Sequence, residues 1–279
     1  MQEEIVVKAP TTEALTPAQI TQKAEDLGVT KTEMSFGRSF ALSIMAGAFI
    51  AMGAMFFSLV VGDPALPFAI QRVLGGFLFC LGLILVVVAG AELFTGNTMI
   101  VMTAASKRIK WSAVWKNWIV VFFGNFLGAL VIVGLVFLSD MSAMNGGQVG
   151  QTMVSVAAGK MHADWLVLFA KGIMCNFLVC LGVWMAYASK TVADKILAVV
   201  FPITAFVACG FEHCVANMFF LPMGALLASC GIAPAGIDPA SVNMLGALYN
   251  WSATVPGNIV GGALMVGMMY WFIYRKKNN

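Results

Sequence analysis

The sequence predicts an all-α membrane protein with six transmembrane passages in two inverted three-helix repeats, of which passages two and five are broken. Composition is the first reason: 60% of the residues are hydrophobic, only 10% are charged and the mean hydropathy is +0.89, whereas about 25% of a soluble domain is charged. The second reason is two apolar stretches, residues 72–106 and 195–229, that exceed the roughly 20 helical residues needed to cross a bilayer. Polar residues interrupt both near the middle, which predicts breaks inside the membrane.

The two halves of the chain repeat each other. The interrupted stretches share Gly, Glu and Asn at an offset of 120, span three recurs in span six at an offset of 133, and span one recurs weakly in span four at an offset of 129. Because three spans per repeat is an odd number, the halves must insert in opposite senses. The matched residues are Gly90/Gly210, Glu92/Glu212 and Asn97/Asn217; Asn117-Trp118, Gly124-Asn125 and Gly128 against Asn250-Trp251, Gly257-Asn258 and Gly261; and Ile44-Met45 and Gly53 against Ile173-Met174 and Gly182.

The distribution of basic residues predicts the topology. Thirteen of the 16 Lys and Arg residues fall in segments on the side of the two termini and three on the other side, so both termini are expected in the cytoplasm and the protein in the cytoplasmic membrane. No cleaved leader is expected. The predicted segments are an N-terminal cytoplasmic segment 1–38, a first repeat 39–139, an outer loop 140–164, a second repeat 165–274 and a cytoplasmic tail 275–279.

The N-terminal segment contains one short amphipathic helix. Thr16 and Pro17 are typical of a helix start, Ile20, Ala24 and Leu27 give it an apolar stripe, and Gly28 is typical of a helix end. Two interpretations stay open: a helix that lies on the membrane surface or on a neighbouring subunit, and a regulatory plug at the inner mouth of a pore.

Four polar residues are expected to stabilise the breaks. Glu92 and Glu212 each follow a glycine by two residues, and Asn97 and Asn217 lie five residues further on. Backbone N–H groups freed by a break must find partners inside the protein, so these side chains are predicted to accept hydrogen bonds from them. A role of the glutamates as proton carriers is the alternative.

His213 is the strongest candidate for a functional residue. It lies on the second break, and an imidazole with an unperturbed pKa near 6.5 can exchange protons near neutrality; an ionisable group at bilayer depth favours a permeation path. Thr95, on the first break, is placed so that its hydroxyl could face the same lumen. No further ligand accompanies His213 and Cys214 at metal-binding spacing. Catalytic, phosphate-binding and nucleic-acid-binding motifs are absent, so no enzyme, cofactor or nucleic-acid partner is predicted.

Four groups of motifs in and around the breaks are specific. They are Ala91-Glu92-Leu93-Phe94-Thr95-Gly96, Lys171-Gly172-Ile173-Met174-Cys175-Asn176 with Val179-Cys180-Leu181, Gly210-Phe211-Glu212-His213 through Ala216-Asn217-Met218, and Gly257-Asn258-Ile259-Val260-Gly261. With these motifs the chain resembles the formate–nitrite transporter family over residues 20–274. The resemblance implies a pentameric anion channel with an aquaporin-like fold in which each protomer has its own pore.

By this resemblance the substrate pathway contains the family's central histidine at His213, its loop threonine at Thr95 and its vestibule lysine at Lys160. The span-four asparagine, Asn176, belongs to the same pathway. The apolar constriction falls on Phe79, Leu83 and Phe206, with Leu93 and Phe94 near the inner mouth. The segment after His213 looks like formate channels, whereas the segment after Thr95 looks closer to nitrite or hydrosulfide members. Formate is the predicted substrate, and the other two anions are the alternatives.

The energy of crossing the constriction predicts a neutral form of the substrate. Moving a bare carboxylate into low dielectric costs on the order of 20 kcal/mol in the Born limit, whereas protonating an acid of pKa near 4 at pH 7 costs only about 4 kcal/mol. We expect Lys160 to concentrate the anion, Thr95, Asn176 and His213 to hydrogen-bond it, and a proton to be supplied at or through His213. A channel for water or small neutral solutes and a membrane redox subunit are the alternatives from other classes.

Overall fold

The computed structural model describes residues 13–275, and these form helices joined by turns. Residues 1–12 and 276–279 lie outside the described residues, so Lys8, Lys276, Lys277 and most of the predicted tail are not part of this description. The first half contains α1 Pro17–Glu33, α2 Phe36–Val61, α3 Phe68–Leu85, α4 Phe94–Asn97, α5 Val101–Ala105 and α6 Trp111–Leu138. The second half contains α7 Gln148–Met161, α8 Trp165–Ala188, α9 Val192–Ala208, α10 Cys214–Ser229, α11 Met244–Ile259 and α12 Met269–Tyr274.

Within residues 13–275, five helices are long and apolar enough to cross a membrane, which makes the chain a multi-pass membrane protein. Two of them include a wide π-helical segment, Val86–Gly90 after α3 and Val260–Met268 between α11 and α12. The remaining predicted passage consists of α9 and the shorter apolar helix α10, on either side of a break. The five spans are Phe36–Val61, Phe68–Gly90, Trp111–Leu138, Trp165–Ala188 and Met244–Tyr274.

Both predicted breaks are confirmed. In the first break, residues 91–93, Gly90 has a φ of +84° and Ala91 is extended before α4 begins at Phe94. In the second break, residues 209–213, Gly210 has a φ of +71° and His213 is extended before α10 begins. Glycine adopts positive φ without a steric cost, so the repeated glycine at each break is what lets the chain leave the helix there.

The predicted outer loop 140–164 contains a helix instead. Val149, Met153, Ala157 and Met161 recur every four residues and are buried on one face of α7, where they pack mainly against α10. This apolar spacing is the periodicity of an amphipathic helix. The spacing was visible in the sequence, but the helix was not predicted because the segment is short and follows two glycines. The assignment of residues 140–164 to an outer connection between the repeats stays a prediction.

The N-terminal helix also differs from the prediction, because α1 continues through Gly28 to Glu33. Gly28 is a close contact rather than a helix end, because a Cβ there would clash with Thr103 Oγ1. The helix packs on its own chain, where the buried carboxylate of Glu25 accepts hydrogen bonds from Ser106 (2.6 Å) and from Arg275 (3.2 Å). These contacts dock α1 on its own chain, and both interpretations of the helix, a surface contact and a plug at the inner mouth, stay predictions.

The contact between Glu25 and Arg275 places α1 and the end of α12 on one face, which we call the terminal face. Helix α2 starts beside α1 and crosses to the opposite face, which we call the far face. From there α3 returns to the first break. Helix α7 of the second half lies on the far face, as α1 does on the terminal face, and this is the arrangement expected of an inverted repeat.

Candidate permeation site

Two vestibules approach the breaks from opposite faces. The far vestibule has a volume of about 280 Å³ and is lined by Lys160, Glu212 and His213 among others. The terminal vestibule has a volume of about 570 Å³ and is lined by residues that include Lys31 and Glu92. The two cavities share no lining residue, so the pathway between them is closed by buried side chains.

A histidine–threonine pair lies between the vestibules. His213 Nε2 and Thr95 Oγ1 are 3.1 Å apart, and both side chains are buried. The other ring nitrogen, Nδ1, accepts the backbone N–H of Ala216 at 2.9 Å and caps α10. A nitrogen that accepts an N–H carries no proton, so the proton of the neutral imidazole is on Nε2 and faces Thr95. The threonine hydroxyl then has its own proton free to donate.

The backbone around Thr95 is held by three side chains. Its carbonyl oxygen accepts hydrogen bonds from Thr98 Oγ1 at 2.6 Å, Asn176 Nδ2 at 3.2 Å and Cys180 Sγ at 3.4 Å. The Asn176 amide also donates to the Asn258 carbonyl at 2.6 Å, and Asn176 lines neither vestibule. These contacts make Asn176 a positioning residue for Thr95, and its predicted direct contact with substrate stays a prediction.

An apolar barrier surrounds the pair. The Phe79 and Phe206 rings meet edge to face with centroids 5.7 Å apart, and Phe206 stacks on His213 at 5.7 Å. Both phenylalanines line the far vestibule. Leu83 and Leu93 are buried at the inner end of the terminal vestibule. These four residues are buried beside the two vestibules, and their role as the constriction stays a prediction.

Phe94 is not part of this barrier. Its ring packs edge to face against Trp118 and Phe122 at 6.2 and 5.3 Å, and it lines neither vestibule. The side chain points away from the pathway because Phe94 is the first residue of α4, which lies against α6. The sequence could not distinguish it from its neighbour Leu93, since both are apolar residues of the same break.

Each vestibule contains a lysine paired with a buried glutamate. On the terminal side Lys31 Nζ contacts Glu92 Oε1 at 2.7 Å and Asn97 Oδ1 at 2.8 Å. On the far side Lys160 Nζ contacts Glu212 Oε1 at 2.8 Å. Lys31 and Lys160 are 129 residues apart, the offset that relates span one to span four. Sequence reasoning identified Lys160 only by resemblance and missed Lys31, although this offset pointed to it.

Asparagines complete the two groups. Asn97 Nδ2 donates to Glu92 Oε2, and Asn217 Nδ2 donates to Glu212 Oε2, both at 2.7 Å. Asn217 Oδ1 has no hydrogen-bond partner among the described residues, whereas its counterpart in Asn97 accepts from Lys31. The two carboxylates therefore accept hydrogen bonds from lysine and asparagine side chains. The sequence had predicted that they would accept the freed backbone N–H groups, and the structure shows no such contact among the described residues.

Two other asparagines satisfy the backbone of the breaks. Asn125 accepts the N–H of Phe94 at 2.9 Å and donates to the carbonyl of Glu92 at 2.9 Å. In the second half Asn258 accepts the N–H of Cys214 at 2.9 Å and donates to the carbonyl of Glu212 at 2.8 Å. Both are fully buried. Their 133-residue offset was recognised, but only as evidence for the repeat.

The geometry is matched by comparisons with known proteins. The sequence profile described as "Formate/nitrite transporter" matches residues 18–272. The chain belongs to the formate/nitrite transporter family. The formate channel FocA of Escherichia coli is 39% identical over 275 residues, which cover 95% of this chain and 96% of that protein. FocA of Haemophilus influenzae is 39% identical over 264 residues, 91% of this chain and 93% of that protein.

Solved structures of the family share the fold. A structure described as a pentameric formate channel with formate bound superposes with a TM-score of 0.77 at 37% identity, covering 86% of this chain and 98% of that chain. A second, described as an ion channel of the family, gives a TM-score of 0.79 at 27% identity and covers 91% and 98%. The helical architecture with broken helices is thus that of a transporter family. Within residues 13–275, no three His, Cys, Asp or Glu side chains lie close enough to hold a metal ion.

Proposed function

We propose that the protein is a channel in the cytoplasmic membrane for small monovalent anions of weak acids, with formate as its substrate. The terminal face is the cytoplasmic face, in accord with the basic residues, and the protein works as a homo-pentamer in which each protomer has its own pore. Support for formate and for the pentamer comes from relatives that are named formate channels and from the related pentamer with formate bound.

The observation that carries the proposal is the donor pair at the centre of the barrier. The Nε2–H of His213 and the hydroxyl of Thr95 lie 3.1 Å apart and can both donate to the oxygens of one carboxyl group. The side chains around them, Phe79, Phe206 and Leu83, are apolar. The site therefore suits a small carboxyl group, whose two oxygens lie close enough to accept from both donors at once.

The proton that neutralises the substrate comes from water in a vestibule rather than from His213. A net proton transfer from the neutral ring at Nε2 would leave an anionic imidazole, and loading Nδ1 first would break the bond that caps α10. Protonation in the vestibule costs about 4 kcal/mol at pH 7 for an acid of pKa near 4, far below the cost of a bare carboxylate in the barrier. His213 then acts as a hydrogen-bond donor at Nε2, and this replaces the expectation that it delivers the proton.

Formate uptake into liposomes between pH 5 and 8 tests both statements. Wild-type protein should transport formate, with a flux that rises as the pH falls. His213→Asn keeps a side-chain acceptor for the cap of α10, so the protein should fold and transport more slowly with the same dependence on pH. His162, which is exposed, contacts the carbonyl of Ser241 and lines neither vestibule, gives the matched control His162→Asn, whose flux should equal that of the wild type.

Two results would overturn these statements. If His213→Asn lost the increase in flux at low pH and His162→Asn kept it, His213 would be the group that delivers the proton. Osmotic swelling with glycerol in the absence of formate flux would replace the anion channel with a neutral-solute channel. A competition assay with formate, nitrite, hydrosulfide, acetate and lactate ranks the substrates, and formate is expected to be transported fastest.

A further inference from the structure

The terminal vestibule has more positive charge than its substrate requires. Four cationic side chains line it, Lys23, Lys31, Arg38 and Lys195, and Glu92 is the one acidic residue among its lining residues. The lining therefore has a formal charge of +3, four positive minus one negative. A monovalent anion neutralises one of these charges and leaves two.

These cations differ in what they contact. Lys31 is neutralised by Glu92 at 2.7 Å. Lys23 Nζ donates to the carbonyl of Tyr187 at 2.7 Å, which has no full charge. The side chains of Arg38 and Lys195 make no hydrogen bond or ion pair with any residue between 13 and 275. Three cationic groups thus share one cavity without a protein carboxylate to balance them.

The cost of this arrangement is visible at Lys23. Partial burial lowers the pKa of its ammonium group, and the nearby charges of Lys195 and Lys190 lower it further. Like charges held together in a partly desolvated cavity repel one another. An anion that binds among them relieves that repulsion, and the relief grows with the charge of the anion.

The far vestibule is less positive than the terminal one. Its lining contains three cations, Arg72, Lys160 and Lys171, and one acid, Glu212. The guanidinium of Arg72 donates to the carbonyls of Val207 and Ala208, at 2.7 and 3.0 Å, and Lys160 is paired with Glu212, so Lys171 is the one cation in this lining without a polar partner among residues 13–275. Its volume of about 280 Å³ is half that of the terminal vestibule, about 570 Å³. The larger cavity lies within the range of about 300–1,000 Å³ typical of small-molecule sites.

We propose that the terminal vestibule binds a soluble anion with two or more phosphate groups, such as pyrophosphate or a nucleoside di- or triphosphate. Arg38 binds one phosphate through its planar pair of N–H donors, and Lys23 and Lys195 contact the others as point charges. Such an anion cannot cross the barrier of Phe79 and Leu83. While it is bound, it closes the pore from the terminal face.

Equilibrium dialysis of radiolabelled pyrophosphate against the purified full-length protein tests the site without any measurement of transport. Wild-type protein should bind pyrophosphate saturably, and Arg38→Gln/Lys195→Gln should bind about 100-fold more weakly, at about tenfold per lost charge-assisted contact. Lys110→Gln removes an exposed charge that does not line the cavity and should leave binding unchanged. Arg38→Lys/Lys195→Arg should retain most of the binding if the charges, and not the fold, are responsible.

Failure of wild-type protein to bind, or equal binding by the wild type and Arg38→Gln/Lys195→Gln, would overturn the proposal. A lipid source of the phosphate is tested in parallel in nanodiscs of phosphatidylcholine with and without phosphatidylglycerol. Binding that is competed away by phosphatidylglycerol would assign the site to a headgroup and refute a soluble ligand.

A flux experiment separates this inference from the proposed function, on which the pore closure alone rests. In liposomes that contain the wild type in one orientation, pyrophosphate on the terminal side should inhibit formate flux and pyrophosphate on the far side should not. Saturable binding without any formate flux would refute the proposed function and leave the anion site standing. Flux that pyrophosphate does not inhibit from either side would refute the pore closure.

Discussion

Replacing Lys31 by methionine should destabilise the protein more than the same replacement of Lys160. Methionine keeps the length and apolar stem of the side chain but removes the ammonium group that contacts Glu92 Oε1 and Asn97 Oδ1. The side chain of Glu92 is 8% exposed and that of Lys31 is 18% exposed. The substitution therefore leaves a buried carboxylate with one amide donor and no counter-charge.

The structure gives the size of the effect. Removing one partner of a buried ion pair costs about 3–5 kcal/mol, and the residual exposure of both groups favours the lower end. Asn97 Oδ1 also loses its donor, which adds about 1 kcal/mol. We expect a loss of about 4 kcal/mol for Lys31→Met and about 3 kcal/mol for Lys160→Met, because Asn217 Oδ1 has no donor to lose.

Thermal unfolding of the purified protein in detergent measures the difference. At roughly 2 °C per kcal/mol for a chain of this size, Lys31→Met should lower the Tm by about 8 °C and Lys160→Met by about 6 °C. The double variant Lys31→Met/Glu92→Gln has no uncompensated charge and should recover most of the loss. A double variant no more stable than Lys31→Met, or a Lys31→Met protein as stable as the wild type, would show that the pair does not stabilise the fold.

Three further predictions concern the second break and the docking of α1. Asn258→Ala leaves two backbone groups of the second break without their side-chain partner and should cost about 3 kcal/mol, measured by the same thermal unfolding. Gly28→Ala places a methyl group against Thr103, so α1 should be cleaved several-fold faster in limited proteolysis while the spans stay intact. Arg108 holds the pKa of Asp26 below its usual 3.8 by a hydrogen bond. The stability that this pair contributes is present above pH 3.8 and is lost as the pH falls through the lowered pKa. In limited proteolysis, Asp26→Asn should therefore show a smaller increase in the cleavage of α1 on acidification than the wild type.

The breaks and the repeat could be predicted because they leave marks in a single sequence. A stretch of 35 apolar residues cannot be one span, and Gly90 and Gly210 fall at the interruptions. The placement of His213 beside Thr95 was also predictable once both were assigned to breaks that meet at the midplane. Local chain chemistry was enough for these features, since they depend on length, glycine conformation and spacing.

The partners of the buried polar groups could not be predicted in the same way. Glu92 was expected to accept backbone N–H groups, yet its carboxylate contacts Lys31, which is 61 residues earlier. Such contacts depend on how α1 packs over the first break, and nothing in the local sequence reports it. The helix α7 was missed for another reason, since its apolar spacing was present but was read as part of a loop.

The donor pair arises where the two repeats differ, and not where they agree. At the offset of 120, His213 corresponds to Leu93 and Thr95 corresponds to Val215. The shared residues, Asn125 and Asn258 among them, build the same break twice. His213 adds a cap for α10 through Nδ1 that Leu93 cannot supply to α4, and this cap is what fixes Nε2 as the donor. The repeat therefore builds a corresponding break and vestibule in each half, and the two positions that differ between the halves, His213/Leu93 and Thr95/Val215, give the barrier its donor pair.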